Sequence, residues 1–95
     1  MSGDSMEGDM ALVPVISNFQ YDFVLQLVTV DTDNSMDEIA AAASQHSVGR
    51  RVAPQPDKVI RVRRQGSKQF YPRNAKLAET DIKPMETLEF IFCDD

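Results

Sequence analysis

The sequence has few of the residues on which metal binding and catalysis usually depend. Its 95 residues include one histidine, His46, one cysteine, Cys93, and no tryptophan. A zinc or iron ion bound by protein needs several converging His, Cys or carboxylate ligands, so we expect no metal site in this chain. We expect His46 to cap a helix or to lie at an interface rather than to shuttle protons. The lone cysteine cannot form an internal disulfide, which agrees with a reducing compartment.

Several targeting and catalytic signals are missing as well. No apolar run approaches the about 20 residues that a membrane span requires, and residues 1–10 have neither the basic segment nor the apolar core of a signal peptide. The sequence has no Gly-rich phosphate loop, no Gly-x-Ser-x-Gly elbow and no Cys-x-x-Cys motif. We therefore expect a cytoplasmic protein that has no membrane partner and catalyses no reaction by itself.

The charged residues are distributed unevenly along the chain. Residues 1–49 contain eight acidic residues and no Lys or Arg, residues 50–83 contain all ten basic residues and three acidic ones, and residues 84–95 contain four acidic residues. This order predicts either ion pairs within the fold or a positive patch for a partner. Because the net charge is −5 and the aromatic residues near the basic ones are too few for a stacking platform, we expect no nucleic-acid partner.

The apolar pattern predicts one domain over residues 12–95, preceded by a disordered tail at residues 1–11. A helix is predicted to begin after Ser35, which forms a capping box with Glu38, and to end near residues 46–48, with Gly49 available for a left-handed C-cap. Residues 76–85 are predicted to form a turn-rich connection with at most one short helical turn. From their β-branched and aromatic residues, strands are predicted at residues 12–19, 23–30, 59–63, 68–71 and 87–92.

The predicted order of two strands, a helix, two strands and a closing strand resembles that of ubiquitin. The resemblance implies an α+β, ubiquitin-like β-grasp fold, a mixed sheet with one main helix across one face and the last strand in the middle, parallel to the first. Ubiquitin-like modifiers and sulfur carriers act through a flexible C-terminal Gly-Gly, whereas this chain ends Phe92-Cys93-Asp94-Asp95. A binding domain is the favoured interpretation, and a free-standing ubiquitin-like adaptor or a degenerate sulfur carrier is the alternative.

Two features predict how such a domain binds. The second predicted strand is apolar on both faces, Phe23, Leu25 and Leu27 on one and Val24, Val28 and Val30 on the other. A single helix covers only one face of the sheet, so we expect a partner to cover the other. Arginine suits bidentate, partly buried ion pairs at interfaces, so we expect the arginines of the basic segment to contact a partner. The alternative is that they form a basic face exposed to solvent. The predicted interface arginines are Arg50, Arg51, Arg61, Arg63 and Arg73.

Several segments of the sequence resemble the gamma subunits of toluene-4-monooxygenase and toluene/o-xylene monooxygenase. They are residues 22–31 (DFVLQLVTVD), 35–37 (SMD), 50–54 (RRVAP), 61–63 (RVR) and 86–88 (ETL). The similarity runs in order from about Pro14 to the C-terminus. Two departures, Gly49 before the arginine pair and the extra aromatic in residues 70–73 (FYPR), indicate a relative such as the subunit of an alkene or isoprene monooxygenase.

The resemblance implies a hydroxylase with two copies each of alpha, beta and gamma chains, an (alpha beta gamma)2 assembly. The alpha chain of such an enzyme carries a di-iron centre that activates O2, and electrons arrive from NADH through a reductase and a Rieske ferredoxin. A small effector protein completes the system. By this resemblance the present chain holds no cofactor and contributes contacts to alpha. The substrate would be an aromatic hydrocarbon or an alkene bound on another chain.

Overall fold

The computed structural model describes residues 11–94, so most of the predicted tail, residues 1–10, lies outside the described residues. The described part contains β1 (Leu12–Phe19), β2 (Gln26–Asp31), α1 (Met36–Ser47), β3 (Val59–Arg64) and β4 (Thr87–Cys93). A single 3-10 turn, Leu77–Glu79, interrupts the connection between β3 and β4, as predicted. No helix among residues 11–94 is long and apolar enough to cross a membrane.

The four strands form one mixed sheet in the order β2-β1-β4-β3. β1 and β2 form an antiparallel hairpin, and β3 pairs antiparallel with β4. β4 lies in the middle of the sheet, parallel to β1, with Ile16 opposite Thr87 and Phe19 opposite Phe90. The predicted position and direction of the closing strand are therefore confirmed, and so is the α+β, ubiquitin-like β-grasp fold.

Helix α1 begins where the sequence predicts it. The Ser35 hydroxyl accepts a hydrogen bond from the Glu38 amide at 3.2 Å, and the Glu38 carboxylate accepts one from the Ser35 amide at 2.8 Å. The two contacts satisfy amides that a helix start otherwise leaves without partners. At the other end Val48 is extended, and Gly49, with φ of +81°, lies in the following turn, where its amide bonds to the carbonyl of Val52.

Two strand predictions need correction. The strand predicted from Phe23 begins only at Gln26. The chain turns at Gln20 and Tyr21, and the Asp22 carboxylate then accepts a hydrogen bond from the Val24 amide at 3.0 Å. These local bonds replace ladder bonds to β1.

The prediction of a strand at residues 68–71 is also wrong. Only an isolated bridge joins Phe70 to Arg63, with one backbone bond from the Tyr71 amide to the Val62 carbonyl. Pro72 follows directly and has no amide hydrogen to extend the ladder.

The core lies between α1 and one face of the sheet. Along β1 and β2, alternate residues point toward the helix, so Val15, Phe19, Val28 and Val30 are buried. The rings of Phe19 and Phe90 stack with centroids 5.9 Å apart. The remaining core residues are Met36, Ile39, Ala40, Ala43, Val52, Val62, Leu77 and Leu88. With the helix covering this face, the opposite face of the sheet is left uncovered within the described chain.

Candidate partner interface

The uncovered face of the sheet, here called the open face, is divided into two halves. Its half on β1 and β2 is uncharged in its middle, where Leu27 lies beside Ile16 and Ile16 beside Thr87. Next to this row, Thr29 lies beside Pro14. The sequence predicted two apolar faces on this segment without deciding which faces the helix. In the structure Val28 and Val30 are buried in the core, whereas Leu25, Leu27 and Phe23 are exposed, Phe23 by 87%.

The other half of the open face carries charge. Asn18 lies beside Glu89 and Glu89 beside Arg63, so the three form one row across β1, β4 and β3. The Arg63 guanidinium donates to Glu89 at 2.6 Å, and both Arg61 and Arg63 lie over the ring of Phe70, at 5.5 and 5.3 Å from its centroid. Two of the predicted interface arginines are therefore brought together here, held against an aromatic ring.

Arg51 lies elsewhere, at the C-terminal end of α1, in a network around a buried carboxylate. Its Nε and Nη2 atoms donate to the two carboxylate oxygens of Asp22 at 2.7 and 3.1 Å, and the Ser47 hydroxyl donates to the same carboxylate at 2.6 Å. Arg51 Nη2 also donates to the His46 carbonyl at 2.8 Å. The Asp22 side chain has no solvent exposure, whereas that of Arg51 is 26% exposed.

This network determines the charge state of Asp22. The Arg51 guanidinium holds the pKa of the Asp22 carboxyl well below its usual range, and the Ser47 hydroxyl and Val24 amide act in the same direction, although burial opposes them. Asp22 therefore stays ionised in the interior. Sequence reasoning assigned Arg51 to an interface and missed this internal partner, because Asp22 is 29 positions away and no local pattern connects the two residues.

The remaining predicted arginines flank α1. Arg50 is exposed and donates from Nε to the Gln45 carbonyl at 3.1 Å. Arg73 pairs with Asp37 in the first turn of the helix, with Nη2 and Oδ2 3.0 Å apart. The five arginines thus occupy three separate places rather than one patch.

One further arginine, not selected from the sequence, forms its own cluster. Arg64 bonds to Glu86 and, from Nη2, to Asp81 at 2.8 Å. These two carboxylates raise the pKa of Arg64, and the hydrogen bond to Asp81 has the larger effect. The alternation of basic and acidic segments along the sequence was the available signal, and its interpretation as internal ion pairing describes Arg64 well.

The residues with metal-binding side chains are dispersed. Among residues 11–94 no three His, Cys, Asp or Glu side chains form a group that could hold a metal ion. His46 is exposed in the last turn of α1, and Cys93 is half-buried at the end of β4. The described residues therefore do not fit a di-iron or zinc centre.

Known proteins of similar sequence are subunits of monooxygenases. The family described as toluene-4-monooxygenase system protein B (TmoB) matches residues 12–92. The hydroxylase gamma subunit of the toluene-4-monooxygenase system from Ectopseudomonas mendocina is 41% identical over 87% of this chain and 98% of that protein. The oxygenase gamma subunit of the alkene monooxygenase system from Xanthobacter autotrophicus is 47% identical over 50% of this chain and 53% of that protein.

Solved structures agree. A chain of the "Toluene 4 monooxygenase HD Complex with Inhibitor 4-Bromobenzoate" has a TM-score of 0.83 and 40% identity, covering 86% of this chain and 99% of that chain. A chain from "Molecular Mimicry of SUMO promotes DNA repair", at 9% identity and a TM-score of 0.64 over 84% of this chain and 90% of that one, supports the fold alone. The present chain therefore belongs to the family of toluene-4-monooxygenase system protein B, the gamma subunits of such monooxygenase hydroxylases.

Proposed function

We propose that this chain is the non-catalytic gamma subunit of a soluble di-iron monooxygenase hydroxylase acting on aromatic hydrocarbons or alkenes in the cytoplasm. In this proposal it assembles with alpha and beta chains as (alpha beta gamma)2. The wider system supplies a reductase, a Rieske ferredoxin and an effector protein. The observation that carries the proposal is the match to a chain of a solved hydroxylase complex, which spans 99% of that chain. Neither a free-standing adaptor nor a sulfur carrier is favoured by such a match.

The di-iron centre is proposed to lie in the alpha chain. The described residues of the gamma chain supply no cluster of carboxylate and imidazole ligands, so no step of the oxidation is assigned to them. The contribution proposed for this chain is instead a surface that binds the other hydroxylase chains. Within residues 11–94 the chain has a four-stranded sheet, one face of which the helix does not cover, and the five predicted arginines in the positions described above.

The predicted interface arginines remain part of the proposal, with their internal contacts taken into account. Arg50 is exposed, and its guanidinium can reach an acidic group on a neighbouring chain. Arg61 and Arg63 lie on the charged half of the open face, and Arg73 lies at the start of α1. The Arg51 guanidinium is already paired with the Asp22 carboxylate. It would therefore contribute to assembly indirectly, by stabilising the fold of this chain.

Co-expression with the other hydroxylase chains tests the proposal. A tag on the alpha chain should recover the gamma chain in equal amount, with iron in the complex and no stoichiometric iron in the purified gamma chain. The gamma chain alone should oxidise no hydrocarbon, even with reductase, ferredoxin and effector present. Tightly bound iron in the isolated gamma chain, or failure of wild-type gamma to co-purify, would contradict the proposal.

A further inference from the structure

The loop between β1 and β2 and the strand that follows expose an unusual amount of apolar surface. Phe23, Leu25 and Leu27 occupy alternate positions and are 87%, 59% and 57% exposed. Leu27 continues this surface onto the half-buried Ile16 across the hairpin. We call these four residues the hairpin patch. A single exposed leucine is ordinary on a protein surface, but an almost fully exposed phenylalanine followed by a row of leucines is typical of an interaction site.

We propose that the hairpin patch is the surface through which this chain docks onto an uncharged, apolar area of a neighbouring hydroxylase chain, with Phe23 as the anchor. This inference rests on the proposed function, because membership of a hydroxylase subunit family is what supplies the neighbouring chain. It differs from the arginine hypothesis in assigning most of the binding energy to apolar contact.

The charges around the patch favour an apolar partner surface. The hairpin patch lies in the part of the sequence, residues 1–49, that has no Lys or Arg. The acidic residue next to the patch in the chain, Asp22, points inward and is paired with Arg51, and Glu89 in the adjoining row of the open face is paired with Arg63. A partner with charged groups at this position would lose their hydration without gaining an ion pair. Interface cores are generally poor in charged residues and rich in aromatic ones, which fits Phe23 surrounded by leucine and isoleucine.

The arginines are less suited to supply the main contact. Arg51, Arg63 and Arg73 each already contact a carboxylate of this chain, and Arg61 and Arg63 pack on Phe70. A partner would have to displace these internal contacts, or bind the guanidinium groups while the contacts remain in place. Exposed ion pairs contribute little to affinity compared with well-buried apolar anchors.

The loop that carries Phe23 is held in place before any partner binds. On one side of it, Tyr21 adopts φ of +70°, a left-handed conformation that side chains disfavour, and its ring stacks on Phe92 with centroids 6.2 Å apart. Next to it, Asp22 is bonded through its amide to the Phe19 carbonyl at 2.9 Å and through its carboxylate to Arg51. A loop fixed in this way loses little conformational entropy on docking, so Phe23 is preorganised as an anchor.

The test uses two charged substitutions of opposite sign in the patch, Phe23→Asp and Leu27→Lys. The controls are Ala41→Asp on the exposed side of α1 and Ala53→Lys in the loop after it, which place the same charges at exposed apolar positions elsewhere. Each variant is co-expressed with the other hydroxylase chains, and the complex is diluted and run on size exclusion. The quantity measured is the protein concentration at which half of the gamma chain has dissociated.

We expect both patch variants to raise this concentration at least tenfold and both controls to change it less than twofold. Circular dichroism and the unfolding midpoint of the free variants should match wild type, since the substituted side chains are exposed. If a charged variant does not fold, Phe23→Ser repeats the test without a charge, with the same expected loss.

Other outcomes overturn the inference in distinct ways. Retention of both patch variants at the control level would exclude the patch as the docking surface while leaving the proposed function intact. Loss with only one sign of charge would indicate a charged partner surface. A free wild-type dimer that Phe23→Asp converts to monomer, with hydroxylase retention unchanged, would assign the patch to a second copy of the chain. Failure of the wild-type chain to co-purify would remove the proposed function and this inference together.

Discussion

Arg51 and Asp22, 29 positions apart in the sequence, join the end of helix α1 to the loop between the first two strands through two hydrogen bonds. The carboxylate is fully buried and the guanidinium is partly exposed. The pair thus fixes the helix and the Phe23 loop relative to each other, and it neutralises a charge that the interior would otherwise not tolerate.

Removal of the guanidinium should therefore destabilise the fold. In Arg51→Ala the buried carboxylate of Asp22 loses its counter-charge, and breaking such a pair costs about 2 to 5 kcal/mol, with the lower end expected because Arg51 is 26% exposed. Urea unfolding of the free chain measures the effect. The adjacent Arg50→Ala is the matched control and should change the free energy of unfolding by less than about 0.5 kcal/mol. Equal effects of the two substitutions would show that the pair does not stabilise the fold.

The same pair should make stability depend on acid pH. The pKa of Asp22 is lower in the folded chain than in the unfolded chain, so its contribution is fully present above about pH 4 and is lost as the pH falls further. Asp22→Asn lacks this contribution. We expect wild type to be more stable than Asp22→Asn at pH 7 and the difference to shrink progressively as the pH falls below about 4. Asp81, Glu86 and Asp94, whose pKa values are also lowered, are present in both proteins and cancel. A difference that stays constant with pH would count against an ionised Asp22.

The helix cap gives a prediction that is independent of Arg51. Ser35→Ala removes the hydroxyl that accepts the Glu38 amide and should lower stability by about 0.5 to 2 kcal/mol. Ser44→Ala, within the same helix, removes a hydroxyl that only donates to the Ala41 carbonyl, and alanine favours the helix interior, so it should be neutral or stabilising. Equal denaturation midpoints for Ser35→Ala and wild type would indicate a helix that begins elsewhere.

The arginine hypothesis is tested best at Arg50. A double substitution of Arg50 and Arg51 would confuse assembly with folding, because Arg51 supports the fold. Arg50→Ala should leave the circular dichroism of the free chain unchanged. If Arg50 forms a buried ion pair with a neighbouring chain, its loss should weaken retention of gamma by about 2 kcal/mol or more, against at most about 1 for an exposed pair. Full retention with unchanged hydroxylase activity would show that Arg50 is a solvent-exposed residue and not part of the interface.

Local patterns in the sequence were sufficient for much of the fold. β1 has the predicted boundaries, β3 and β4 differ from prediction by one residue at their ends, and the capping box at Ser35 marks the helix start. In each case residues within one turn or one strand decide the structure.

The errors arise where more distant contacts compete. The apolar run from Phe23 has strong strand propensity, yet its first residues follow the turn fixed by Asp22, whose partners Ser47 and Arg51 come from α1 and the turn after it. The ion pair between Arg51 and Asp22 could be identified only from the folded chain. The same holds for the different locations of Arg50 on the one hand and of Arg61 and Arg63 on the other. That one apolar face of this segment would stay uncovered followed from strand alternation and the presence of one helix, but the folded chain was needed to show that it is the face of Leu27 and not that of Val28 and Val30.

Native mass spectrometry of the co-expressed hydroxylase tests the central claim most directly, because it counts each chain in the intact complex. We expect a complex with two copies each of alpha, beta and gamma, with iron that stays with alpha when gamma is released by collision. An active complex of alpha and beta that contains none of this chain, or iron that leaves with gamma, would contradict it.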